Sequence, residues 1–208
     1  MRQVRTANNE ILTLNDKPMG KGGEGGVYRI LSPLNYRHSC VKIYENPKIE
    51  LQRKIDFMVR NPPEFLRQNL KICWPQNLVF DQYQTNKFLG FIMPVAFPNS
   101  CQLQTLLVSG HRLDWSNKFD RDTREGFRNC IALAKNIALT LYHIHHIGNE
   151  INRGSGYVVG DLKPENMMVN EFAQVSFIDM DSIQINARQL FYQVSAYTPE
   201  YASPELIK

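Results

Sequence analysis

An α+β fold in two parts is the expectation for this chain, and three observations lead to it. Short β-favouring runs separated by turn residues fill the first third. One long apolar periodicity of three to four residues opens the second half. The change from mostly sheet to mostly helix falls near residue 96, which predicts a first domain over 1–95 and a second over 96–208. The 208 residues suffice for one large domain or two small ones packed together. With 43% hydrophobic and 21% charged residues, no low-complexity tract and no heptad run, disorder, collagen and coiled coil are excluded. The longest apolar stretch, around residues 131–141, is interrupted by Lys135 and Asn136, and the amino terminus has no signal-peptide core. The net charge of +4 is scattered and gives no nucleic-acid surface. Cys40, Cys73, Cys101 and Cys130 form no C-x-x-C pair and are expected as reduced thiols. The expectation is a cytoplasmic protein with no membrane partner.

Along the chain, residues 26–31 and 39–44 are expected as strands, divided by the turn Ser32-Pro33-Leu34-Asn35. Leu51, Ile55, Met58 and Val59 take the spacing of one helical face over 49–60. Asn61-Pro62-Pro63 ends that helix, because a residue before proline is pushed out of the α region. Strands are expected again at 78–80 and 88–93, and residues 94–100 form a connector. From Gly126 to Ile147 the apolar residues Phe127, Ile131, Ala134, Ala138, Leu141 and Ile144 predict a long buried helix that Gly148 terminates. A polar loop follows over 149–156, then short apolar segments at 157–159, 167–169 and 175–178. There is no internal repeat.

Gly20-Lys21-Gly22-Gly23-Glu24-Gly25-Gly26-Val27 fits G-x-G-x-x-G-x-V. Glycines at these places let backbone approach phosphate oxygens without a Cβ clash, although a flexible hairpin also fits. A dinucleotide site needs a helix after the glycines; strand-like sequence follows instead and favours a β-hairpin lid. Lys42 lies 22 positions after Gly20, flanked by apolar β-formers. Taken alone it reads as a solvated edge residue; beside a glycine hairpin it reads as a partner for nucleotide phosphates.

In Asp161-Leu162-Lys163-Pro164-Glu165-Asn166 a carboxylate, an ammonium and an amide stand at offsets 0, +2 and +5. Such a loop can orient a hydroxyl nucleophile, neutralise phosphoryl charge and ligate a metal; a surface turn is the plainer alternative. Asp179 stands 18 positions after Asp161, directly after a β-favouring run, where its carboxylate and Asn166 could supply the few oxygen ligands that Mg²⁺ takes.

These motifs, in this order, resemble the eukaryotic-like Ser/Thr protein kinase family, from about residue 15 to the end. They are the glycine run, the strand lysine, the loop Asp161 to Asn166, Asp179, and a closing segment ending Ser203-Pro204-Glu205. Asp179-Met180-Asp181-Ser182 and the Asn-Pro-Pro helix stop are similar to the bacterial kinases associated with helix-hairpin-helix domains. The resemblance implies a bilobal fold, with a small, mostly antiparallel β N-lobe carrying one helix and a mainly helical C-lobe. It also implies ATP and Mg²⁺ as cofactors, and a protein substrate with a Ser or Thr acceptor. Carried over residue by residue, it makes Gly20, Gly22, Gly25 and Val27 the nucleotide lid and Lys42 the ligand of the α- and β-phosphates. Cys40 and Met93 would line the adenine pocket, with Val95 and Ala96 as the hinge. Asp161 would be the catalytic aspartate, Lys163 the phosphoryl-stabilising lysine, and Asn166 and Asp179 the metal ligands. Thr198-Pro199-Glu200-Tyr201 is similar to the substrate-docking loop of Ser/Thr kinases, and Lys163 at +2 agrees with it.

Four departures from the family stand out. Val159-Gly160 replaces the His-Arg that precedes the catalytic aspartate, so loop phosphorylation is not expected as the main switch. Asp179-Met180-Asp181 replaces Asp-Phe-Gly; Met180 is expected to pack and Asp181 to be solvated rather than metal-bound. The helix glutamate that should pair with Lys42 is taken as Glu50, the expected place falling near Gln52 or Arg53. The chain stops three residues past Glu205, and a continuation into further C-lobe or another domain is expected. His143, His145 and His146 read as structural residues at a helix end, and Trp74 and Trp115 as packing residues. A pseudokinase, binding nucleotide without turnover, and a partner-binding module indifferent to nucleotide are the rival functions.

Overall fold

The computed structural model of the protein describes residues 2–63, 70–108, 114–151, 156–187, 190–194 and 197–202. In chain order the elements are β1 (Arg2–Thr6), β2 (Ile11–Leu14), β3 (Gly20–Lys21), β4 (Gly25–Ser32), β5 (Ser39–Tyr44) and α1 (Ile49–Arg60). Then come β6 (Leu70–Ile72), β7 (Asn77–Asp81), β8 (Phe88–Pro94), β9 (Cys101–Gln102), α2 (Leu103–Leu107) and α3 (Arg124–Ile151). The last are β10 (Gly156–Val158), β11 (Met167–Val169), β12 (Val175–Phe177), β13 (Gln184–Ala187) and β14 (Leu190–Tyr192). The chain forms two compact units, Met1–Pro62 with Trp74–Val95, and Pro63–Cys73 with Ala96–Lys208. A single cut at residue 95 therefore leaves out one excursion, in which β6 joins the second unit. No described helix is long and apolar enough to cross a membrane.

In the first unit the sheet order is β2-β1-β7-β8-β5-β4-β3, and β2 also pairs with β4. That extra pairing closes a ring, β1-β2-β4-β5-β8-β7, in which every contact is antiparallel. Closure removes the open edges that would otherwise present unpaired N–H and C=O groups. The interior takes residues from all six strands: Val4, Leu12, Leu14, Ile30, Val41, Ile43, Val79, Leu89 and Ile92. A fully buried aliphatic side chain of this kind contributes about 1.5–3 kcal/mol. Gly90 permits the tightest strand approach, since a Cβ there would lie 1.8 Å from the Lys42 carbonyl oxygen.

α1 covers part of the outside of this barrel at β7 and β8. Ile55 and Met58 are fully buried, as the periodicity predicts, and Leu51 and Val59 are half-buried. The helix stops where the prolines require, with the Asn61 N–H donating to the carbonyls of Phe57 and Met58 and its Nδ2 donating to Phe57 at 2.8 Å. Trp74 donates its indole N–H to the Met58 carbonyl at 2.8 Å, a second donor for that acceptor at the helix end.

The second unit has two small sheets around α3. One runs β6-β12-β11-β9, the other β10-β13-β14. β6 pairs with β12 in parallel, and the Cys73 N–H extends the ladder to the Phe177 carbonyl at 2.8 Å. α3 runs through Gly148 to Ile151, so that glycine does not end it. The buried face of the helix also differs from the expectation. Ile144 is buried as expected, but Phe127 and Ile131 are 55% and 54% exposed and Ala134 and Ala138 are exposed too, whereas Leu133 and Thr140 are buried. Two polar residues serve the packed side because they are satisfied there: Asn136 donates to the Ala173 carbonyl at 2.7 Å and Thr140 to the Asn136 carbonyl at 2.8 Å. Apolar residues occupy more than one face of α3, and periodicity alone cannot choose between them. Strands β1, β2, β6, β9, β13 and β14 and helix α2 have no counterpart in the sequence expectations.

Candidate active site

In the first unit the glycine run is a β-hairpin, as expected. Gly20 pairs with Val27, Lys21 with Gly26, and the Gly22 N–H donates to the Gly25 carbonyl at 2.9 Å. No helix follows, which leaves no place for a dinucleotide loop. The glycines have different reasons. Gly25 is required by packing, since a Cβ would fall 2.0 Å from the Ile43 carbonyl oxygen; Gly20, Gly22 and Gly23 border open space. Glycines with nothing against them keep the backbone accessible to a ligand.

Lys42 lies opposite Val27 and Phe91 on neighbouring strands and is only 8% exposed. Its ammonium stands 5.3 Å from the Tyr44 ring centroid and 4.0 Å from the Glu24 carboxylate. Glu24, at the tip of the glycine hairpin, was not anticipated as a partner. Glu50 opens α1 and is exposed. Cys40 and Met93 pair across β5 and β8, both buried, and the Cys40 thiol donates to the Met93 carbonyl at 3.7 Å. Burial pushes the Cys40 pKa up to about 12. Iodoacetamide at pH 8 is accordingly expected to leave Cys40 unlabelled in the native protein and to label it in denaturant, read by peptide mass mapping. Labelling of native Cys40 at the rate of a free thiol would refute its burial. The Val95 N–H is engaged by the His38 carbonyl at 3.0 Å.

In the second unit the loop before β11 gathers four side chains into one network. Asp161 Oδ2 accepts from Lys163 Nζ at 2.8 Å, and Asp161 Oδ1 accepts from the Thr198 hydroxyl at 2.8 Å. Lys163 also donates to Thr198 Oγ1 at 2.9 Å. Asn166 Nδ2 donates to the Asp161 carbonyl and to Asp161 Oδ2, at 2.9 and 3.1 Å. Asp161 is 7% exposed. Desolvation raises its pKa, but the hydrogen bonds from Lys163 and Thr198, the lysine charge and Asn166 outweigh it and hold the carboxyl below the usual value. Two bonds through Nδ2 leave the amide oxygen of Asn166 as the atom suited to a metal. Thr198 joins this site from 37 positions away; its Thr-Pro-Glu-Tyr context was the available signal.

Asp179 follows Ile178, whose N–H donates to the Asn166 carbonyl at 2.9 Å, so the two expected metal ligands stand on adjoining backbone. Asp179 takes a left-handed conformation, φ 56°, and caps the 3₁₀ turn Met180–Ser182, where the Ser182 hydroxyl donates to its carbonyl at 2.8 Å. Aspartate tolerates this region better than most residues. Met180 is buried as expected. Asp181 is buried too, which corrects its reading as a solvated residue. The chain follows β12 directly into this turn, and packing rather than local composition encloses the carboxylate.

The Val159-Gly160 departure has a steric basis. A Cβ on Gly160 would lie 2.2 Å from Val194 Cγ2, so Val194 fills the space that a side chain at 160 would need. The Val159 N–H donates to His145 Nε2 at 3.2 Å, and burial lowers the pKa of that imidazole. Neutral His145 is thus a structural acceptor. Among the described residues no cluster of His, Cys, Asp and Glu could hold a metal. Ser203-Pro204-Glu205 lies outside the described residues.

A glycine hairpin, a buried strand lysine and an Asp-Lys-Asn loop answered by a threonine define a protein-kinase-like fold, and comparison with known proteins agrees. The solved ROP18 kinase domain in complex with AMP-PNP and sucrose is similar, with a TM-score of 0.62 and 18% identity, over 98% of this chain and 60% of that one. Protein kinase YegI of Escherichia coli K12 is 29% identical over 210 residues, 98% of this chain and 28% of the relative. Its counterpart in Escherichia coli O157:H7 is 29% identical over 207 residues, again 28% of the relative. No protein-family profile matches the chain. The chain therefore has a protein-kinase-like fold and is similar to bacterial proteins named protein kinases, of whose length it spans 28%.

Proposed function

We propose that this chain is the catalytic part of a protein kinase that transfers the γ-phosphoryl of Mg-ATP to Ser or Thr. The Asp161–Lys163–Thr198–Asn166 network supports this reading most directly. Asp161, ionised and held from two sides, orients the acceptor hydroxyl and takes its proton as the oxygen attacks the γ-phosphorus. Lys163 neutralises charge on the transferring group. Lys42 and the hairpin glycines hold the phosphates, and Cys40, Met93 and Val95 border the base. Glu50 is the candidate helix partner of Lys42. Asn166 and Asp179, an amide oxygen and a carboxylate, fit the oxygen-only preference of magnesium; bound there, the ion would neutralise phosphate charge. The Lys163–Thr198 bond supports a Ser/Thr acceptor, and the AMP-PNP carried by the ROP18 kinase domain supports a nucleotide. The substrate would be a protein.

Intact mass after incubation with Mg-ATP and a generic protein acceptor tests the reading. Steps of one phosphate, mapped to Ser or Thr, are the expected result. Phosphate on Tyr alone would reject the Ser/Thr specificity. No transfer, with melting still raised by Mg-ATP, would select a pseudokinase; no effect of Mg-ATP on either would select a partner-binding module.

A further inference from the structure

We propose that Glu24 is a charge gate on Lys42: its carboxylate holds the lysine ammonium in the nucleotide-free protein and sets how strongly the site discriminates by phosphate number. The inference rests on the reading of Lys42 as a phosphate ligand. Glu24 is the sole acid in the run from Gly20 to Val27, the segment in which bare backbone faces open space. A carboxylate there works against polyphosphate unless it has another task.

The backbone puts it in place. The Glu45 N–H donates to the Glu24 carbonyl at 3.1 Å and ties the hairpin tip to the end of β5. Gly25 lies so close to Ile43 that no side chain fits between them, which draws residue 24 over the strand that carries Lys42. The resulting approach is 4.0 Å, from a half-exposed carboxylate to a buried ammonium. The second ion pair of the hairpin, Lys21 with Glu45 at 3.6 Å, is exposed on both sides and does not involve Lys42.

An incoming phosphate must displace the Glu24 carboxylate from Lys42 and then lie near its charge. The displacement is the same for any phosphate, the repulsion grows with the number of phosphate charges, and both vanish for the bare nucleoside. A unit charge at this distance in a partly hydrated place changes a binding constant by about fivefold. Salt diminishes the effect, since half of Glu24 faces solvent.

Calorimetric titration of the protein with ATP, ADP and adenosine, with magnesium present, tests the gate. In Glu24→Gln, ATP is expected to bind about fivefold tighter, ADP by less, and adenosine equally, with the gain shrinking at high salt. Glu45→Gln removes the same charge from the same end of the hairpin and is expected to leave the ATP-to-adenosine ratio within about twofold. Lys42→Met is the separate control on the underlying reading: it should reduce the preference for ATP over adenosine while adenosine binding reports an intact fold. Unchanged or weaker ATP binding in Glu24→Gln, with the Lys42→Met loss observed, overturns the gate and keeps the phosphate role of Lys42. An equal gain in Glu45→Gln overturns it as general charge. An ATP preference that Lys42→Met leaves undiminished overturns the phosphate reading of Lys42 and the gate with it.

Discussion

Asp161→Asn is expected to lower phosphoryl transfer by about 10²–10⁴-fold, the range for loss of a positioned acid–base group, while the melting temperature falls little. The substitution keeps the shape of the side chain, one oxygen to accept from Thr198, and the bond from Asn166 to the backbone carbonyl of residue 161; it replaces the oxygen that faces Lys163 and Asn166 with an amide NH2 and removes the charge. The pH profile carries a second, independent consequence. The pKa of Asp161 is held below its ordinary 3.8, so the acidic limb of activity due to this group lies below that value. The stability contributed by its pairing follows the same sign: present above the unfolded pKa, lost as pH falls through the lower folded one. Lys163→Met removes the largest opposing influence and should move the limb upward. Radiolabel transfer to a generic acceptor across pH measures both. Activity of Asp161→Asn within tenfold of the parent would remove Asp161 from the catalytic role.

Val4→Asp is expected to unfold the first unit or to cost it about 4 kcal/mol or more, a large share of the stability of a small domain. Val4 has no exposed surface and points into the barrel with eight aliphatic neighbours from the other strands. An aspartate there would be a buried charge with no partner in that interior. The strand carrying it closes the ring by pairing with β2 on one side and β7 on the other. Gln3→Asp, one residue away on the exposed side, should cost under about 0.5 kcal/mol. Chemical denaturation of the two variants checks the pair. Equal, small effects would mean that β1 is an appendage and that the barrel is held by the remaining strands.

The elements that were legible in the chain are those whose local signals agree. The strands at 25–32, 39–44, 88–94 and 167–169 combine β-branched or aromatic residues with flanking turn chemistry. α1 has both a periodic apolar face and a proline stop. β1 and β2 are not legible because a run such as Arg2-Gln3-Val4-Arg5-Thr6 places only one strongly apolar side chain inward; partners more than 70 positions away supply the rest of its burial. β6, β13 and β14 are three or four residues each, too short for any pattern to stand out. The orientation of α3 was misjudged for a different reason: Asn136 and Thr140 look like a solvent face until their acceptors are known.

The site divides in the same way. The motifs taken together, and the family resemblance they carry, single out Gly20, Gly22, Gly25, Lys42, Asp161, Lys163, Asn166 and Asp179, because reaction chemistry restricts both the residue types and their separations within short loops. Only the tertiary structure decided that Thr198 meets Asp161 and Lys163, that Glu24 reaches Lys42, that Asp181 is enclosed and that Val194 occupies the space beside Gly160. Each of these is a contact between segments whose approach is set by the packing of whole elements. A sequence lists such residues without the distances between them, and hydrogen bonding, burial and charge pairing are all functions of distance.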